Sequence, residues 1–213
     1  MLPSSGGGDT VGVLGTVVDA PKLGVVRGLE NNGAAALIII SKSTGIIQSI
    51  QRTDAASAAA ALEKEGVEVI RLGPRELLLP GFVDCHIHCA QWAYMGTGID
   101  RPLMADDGFL AKYAFPAESS LNATTAGAVY RGAIEDMLKN GTTTALVFGS
   151  NRLDASEEYV KACVARGGPR SLIGKVSADR YCPDDYVETT AQSLADQEAF
   201  ILTTKAANAA LKL

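Results

Sequence analysis

Histidine is nearly absent from this 213-residue chain: there are two, and both fall within one pentapeptide. Cysteine is also sparse. Cys85, Cys89, Cys163 and Cys182 are irregularly spaced and form no C-x-x-C pair, which argues against a disulfide framework and a thiolate zinc site. No basic excess exists: 19 Lys and Arg against 24 Asp and Glu give a net charge of -5, which argues against nucleic acid or an anionic membrane surface as a partner. No long apolar run exists either. The longest, Ala34 to Ile40, is far short of the roughly 18–20 residues a membrane span needs. The opening MLPSSGGGD has neither the basic nor the apolar region of a secretory signal, so the thiols are expected to be reduced and the chain cytoplasmic. Gly6-Gly-Gly8 lacks the Gly-Lys-Ser/Thr of a phosphate loop.

What is present is a globular composition. Apolar residues make up 47% and charged residues 20%, too aliphatic for disorder and enough for a sizeable core. Residues 1–9 read as a disordered Ser/Gly-rich arm. Residues 10–79 read as an N-terminal β module. Its Val- and Ile-rich runs are Val11–Val18, Leu23–Gly28, Leu37–Ser41, Ile46–Ile50, Val67–Leu72 and Glu76–Leu79, with an Ala-rich helix from about Ala55 to Lys64 capped by Asp54 and stopped by Gly66. A run of short strands in this order predicts a small β-sandwich or open barrel.

From Pro80 the texture changes to alternating strands and helices. Strands are predicted at Phe82–His88, Thr142–Phe148 and Leu172–Ala178. Helices are predicted at Asp106–Tyr113, from about Thr124 to Lys139, at Ser156–Arg166 and from about Val187 onward. Asn140-Gly141 supplies a left-handed stop. Three βα units imply a parallel sheet. A complete (β/α)8 barrel takes roughly 250 residues, so residues 80–213 form either a small open sheet or the first part of a barrel.

The two histidines lie in Asp84-Cys-His-Ile-His88. On a strand, residues i and i+2 share a face, with Cα atoms roughly 6–7 Å apart. Two neutral imidazoles placed so can converge on one metal ion, and catalytic zinc takes such nitrogen ligands while keeping a position open for water. The same triplet also fits two histidines satisfied by hydrogen bonds at a strand end. Asp84, on the histidine face, could orient a ligand or merely cap a backbone turn.

Leu79-Pro-Gly-Phe-Val-Asp-Cys-His-Ile-His88 resembles the first-strand signature of the amidohydrolase superfamily. Within it, His86-Ile-His-Cys-Ala-Gln-Trp92, Gly98-Ile-Asp-Arg-Pro-Leu103, Lys112-Tyr-Ala-Phe-Pro-Ala-Glu118, Leu138-Lys-Asn-Gly-Thr-Thr-Thr-Ala145 and Gly174-Lys-Val176 resemble the guanine deaminase branch. The likeness covers about residues 75 to 195. It implies an α/β fold: an incomplete (β/α)8 TIM barrel behind a small N-terminal β-sandwich module. It also implies a zinc-dependent deamination of guanine to xanthine and ammonia. His86 and His88 become metal ligands, with one Zn2+ per complete site, and His88, Cys89, Ala90 and Gln91 touch the purine. A homodimer is implied for the complete protein.

An amide suits the Gln91 role because it offers a donor and an acceptor together. Lys175 stands where it reads as structural rather than metal-bridging, and Glu118, next to a helix, also reads as structural. The family's two further histidines, catalytic glutamate, aspartate and Arg-Phe pair have no counterparts in this chain, so no catalytic residue is expected within it. The expectation is then an N-terminal piece that binds zinc weakly and turns nothing over. The alternatives are another amidohydrolase acting on a related heterocycle, or a non-catalytic chain that pairs with a full-length subunit.

Overall fold

A computed structural model describes residues 8–22, 25–27 and 35–211, with side chains described outside 20–34 and up to residue 210. The Gly-rich opening, residues 1–7, lies outside the described residues, as do Leu23, Gly24 and Gly28 of the predicted Leu23–Gly28 run. Asp9, assigned to the arm by its sequence, is tied down: its carboxylate accepts from Ser41 Oγ at 3.0 Å and from the Ser43 amide at 2.8 Å. The chain divides into two compact units, Met1–Pro80 and Gly81–Leu213.

The first unit is built on strands β1 (Thr10–Val17), β4 (Ala35–Ser41), β5 (Ile47–Gln51), β6 (Glu68–Arg71) and β7 (Leu77–Leu78). They form one mixed sheet in the order β5-β4-β1-β6, with β7 also paired to β1. β1 runs antiparallel to β4 and parallel to β6 and β7. The β1 and β4 runs bury apolar side chains on both faces. Leu14, Leu37 and Ile39 pack beneath helix α1 (Ala55–Lys64) on one face, and Val17, Ala36 and Ile38 form a second cluster. Ala55 and Ala59 are the contact residues of α1, and their small side chains let the helix lie close to the sheet. Gly15 is required by a similarly close approach, since a Cβ there would sit 2.5 Å from the Leu72 Cβ.

The sandwich expectation differs from this layout. Among the described residues there is a single sheet with a helix on it, plus a separate two-stranded ribbon of β2 (Asp19–Lys22) and β3 (Val25–Arg27). Alternating strands signal one buried face each but not which strands share a sheet. Asp54 occupies the N-cap of α1 without a side-chain capping bond, in a left-handed conformation (φ 52°).

The second unit holds three parallel strands in the order β8 (Phe82–His88), β9 (Thr142–Phe148), β10 (Arg170–Gly174). After β8 comes a 3-10 segment, Cys89–Tyr94, then a π-turn at Leu110–Ala114 running into α2 (Phe115–Ser119). The helix expected at Asp106–Tyr113 therefore starts later and runs on, because Pro116 is tolerated in the first turn of α2, where no intrahelical N–H is needed. Helix α3 (Ala126–Lys139) ends at Asn140 and at Gly141, whose φ of 86° suits glycine. Helix α4 (Leu153–Arg166) lies between β9 and β10, and α5 (Thr190–Leu211) follows β10.

The core lies between the sheet and α3 and α4. Tyr130 and Tyr159, both fully buried, meet edge to face with centroids 5.4 Å apart, beside Ile134, Ala145 and Val147. On the sheet's other face Leu146 and Leu172 are exposed, as are Phe82 and Val83 on β8. No helix among the described residues is long and apolar enough to cross a membrane.

Candidate active site

Strand β8 ends in the two histidines, and its pairing with β9 sets Phe148 beside His88. The Phe148 ring lies 4.4 Å from the His86 ring and stacks on His88 at 4.9 Å, 14° from parallel. The imidazoles are thereby held with their Nε2 atoms 3.2 Å apart. Two nitrogens bound to one tetrahedral zinc at about 2.0–2.1 Å lie roughly 3.3–3.4 Å apart, so the observed spacing fits a shared ion. Burial, and then the neighbouring His86, push the His88 pKa below the usual histidine value, which favours the neutral, metal-binding form. Among the described residues, no group of three or more His, Cys, Asp or Glu is arranged to hold a metal. The pair thus offers two nitrogens, where a catalytic zinc takes three protein ligands.

Asp84 resolves to the backbone alternative: its Oδ1 accepts the His86 amide at 3.0 Å and shapes the end of the strand. Of the four residues expected at the substrate, His88 and Gln91 line a cavity of about 350 Å³ with Glu118, Val176, Arg180 and Tyr186. Cys89 instead lines a second cavity, of about 490 Å³, with His86, His88 and Gln91, and Ala90 lines neither. Their side chains are buried in the core against α3, and burial pushes the Cys89 thiol up to about 12, so it is no nucleophile at neutral pH.

Glu118 and Lys175 are the buried charges near this cavity. Gln91 Nε2 donates to Glu118 Oε1 at 3.2 Å, and Tyr186 Oη donates to Oε2 at 2.8 Å. Burial raises the Glu118 pKa above the usual carboxylate value, and the two hydrogen bonds partly oppose the rise. Lys175 Nζ is wholly buried and committed: it donates to both Glu188 oxygens at 2.9 and 2.7 Å and to the Val176 carbonyl at 3.0 Å. All three of its protons are used, leaving none of its chemistry for a metal. Phe148 and Tyr186 escaped sequence reasoning. Phe148 could have been found by pairing the ends of β8 and β9, whereas Tyr186 carried no signal.

A catalytic barrel places its chemistry at the C-terminal ends of its strands, and this histidine pair sits at such an end. The model of the amidohydrolase family matches residues 77–212. The chain belongs to that family. Among curated relatives it is 41% identical over 138 residues to a guanine deaminase of Dictyostelium discoideum, a match covering 64% of this chain and 30% of that protein. A human guanine deaminase is 38% identical over 136 residues, covering 63% and 29%. Among solved structures, guanine deaminase from C. acetobutylicum, determined with guanine in its active site, superposes with a TM-score of 0.70 at 26% identity. That superposition covers 91% of this chain and 42% of the other. The chain thus spans about three tenths of the length of the curated relatives it matches.

Proposed function

We propose that this chain forms the first part of a zinc-dependent guanine deaminase, which converts guanine to xanthine and ammonia in the cytoplasm. The observation that carries the reading is the convergence of His86 and His88 Nε2, 3.2 Å apart at the end of the first barrel strand, beside a cavity edged by Gln91. The guanine deaminases among the relatives, one of them solved with guanine bound, supply the substrate.

In this reading His86 and His88 hold the ion, and Phe148 fixes both rings so that little reorganisation accompanies metal binding. Zinc supplies Lewis acidity that makes water a competent nucleophile near neutral pH. Gln91 sets the purine's orientation through its amide. The attack replaces the exocyclic amino group with oxygen, and a proton must reach the departing nitrogen from a group outside this chain's site residues. The exposed sheet face at Leu146 and Leu172 is the interior of the barrel, to be covered by further strands in the complete enzyme. The five-stranded N-terminal sheet is correspondingly one layer of the β-sandwich module.

Incubating the complete gene product with guanine tests this. Equimolar xanthine and ammonia are expected. Turnover of a triazine or another amino-heterocycle in preference to guanine would replace the substrate while keeping the family.

A further inference from the structure

An amide side chain is ambiguous as a reader of ligands, because a half-turn about its last bond exchanges donor for acceptor. Gln91 has that ambiguity removed. Its Nε2 donates to Glu118 Oε1 at 3.2 Å, and the second Glu118 oxygen accepts the Tyr186 hydroxyl at 2.8 Å. Glu118 is 4% exposed and Tyr186 5% exposed, so the bond between them is buried and that to Gln91 is partly so. Tyr186 is itself anchored. Its carbonyl accepts Asn151 Nδ2 at 2.6 Å, and its ring packs 4.9 Å from Phe115 on α2. In its ionised form, which both of these donors favour, Glu118 has no donor to offer, so turning the Gln91 carbonyl toward it would set lone pairs against lone pairs. One of the two amide protons is therefore committed to Glu118. The carbonyl oxygen is left for the cavity these residues share with His88.

We propose that Glu118 is a positioning residue that keeps the Gln91 amide from turning over, so that its carbonyl oxygen is offered to a substrate N–H donor. The proposal rests on the reading of Gln91 as a purine contact. Glu118 acts through Gln91 and takes no part in the bond-making step.

The test has two readouts on the complete protein. In the 15N-labelled protein, the side-chain amide pair of Gln91, assigned by its loss in Gln91→Ala, should show one proton protected from exchange about tenfold or more relative to an exposed glutamine. Glu118→Ala should abolish that protection, and Glu118→Gln, which can still accept, should retain part of it. In turnover, Glu118→Ala should raise KM for guanine about tenfold with kcat within about twofold. In a Gln91→Ala background it should change KM by less than about twofold, because its lever is already gone.

Additive effects in that cycle, or a fall in kcat at unchanged KM, would overturn the proposal, as would an unprotected amide in the unmodified protein. A protected amide in a protein that does not deaminate guanine would sink the guanine reading and leave the positioning of Gln91 standing.

Discussion

Lys175 and Glu188 offer the most quantitative check on the site's electrostatics. The lysine side chain has no exposed surface, that of the glutamate is 10% exposed, and their closest approach is 2.7 Å. Removing one member of a buried, hydrogen-bonded pair strands the other charge and costs about 3–5 kcal/mol. Lys175→Met keeps the apolar stem but leaves Glu188 held only by the Ala178 amide at 3.0 Å. Glu188→Gln leaves the ammonium facing a neutral amide. Each single variant should lose about 3 kcal/mol, a large share of the roughly 5–15 kcal/mol typical of a domain, with a melting point lowered by about 10 °C. The double variant removes both charges, and the carbonyl of the amide introduced by Glu188→Gln can still accept from Ala178. It should therefore be more stable than the sum of the singles by about 2 kcal/mol or more. Urea titration followed by far-UV circular dichroism measures all four proteins. Additive losses, or a Lys175→Met cost below about 1 kcal/mol, would refute the reasoning and return Lys175 to the residues available for a metal.

Three further outcomes follow from particular contacts. A Cβ at Gly132 would sit 2.4 Å from the Trp92 ring, so Gly132→Ala should cost about 1–3 kcal/mol and shift the fluorescence of the chain's one tryptophan; unchanged emission would mean Trp92 does not rest on α3. Tyr181 is 94% exposed at φ 59°, so Tyr181→Gly relieves a left-handed strain without losing burial and should stabilise by about 0.5–1 kcal/mol in a thermal melt, whereas a loss would show the ring to be packed. Glu118 binds its proton more tightly folded than unfolded, so its contribution is most favourable below the ordinary glutamate range and declines as pH rises through its raised value. The melting point of Glu118→Gln should therefore gain on that of the unmodified protein as pH rises from the ordinary glutamate range, and a constant difference would mean Glu118 does not couple to folding.

How much the sequence reveals varies along the chain for physical reasons. Phe82–His88 and Thr142–Phe148 are read to the residue because β-branched runs there end at Pro-Gly and Asn-Gly punctuation. The third strand is observed at Arg170–Gly174 rather than Leu172–Ala178, since Lys175 and Val176 look strand-like although the lysine's hydrogen bonds go to Glu188 and to the Val176 carbonyl. The histidine pair was legible from a two-residue period alone. Its support was not: Phe148 comes to the rings from the end of β9, and Tyr186 reaches Glu118 across 68 residues of chain. Only strand pairing and loop packing bring them there. The place of Glu118 beside a helix predicts a structural residue, and it is buried on α2. Its bond to Gln91 depends on tertiary contacts that no spacing encodes.

On the proposed function, His86 and His88 together hold the catalytic metal of a guanine deaminase. Zinc content of the complete protein, and of its His86→Ala and His88→Ala variants, tests it most directly. About one zinc per chain is expected in the unmodified protein and less than about a tenth of that in either variant. Zinc retained at full occupancy in both variants would contradict it.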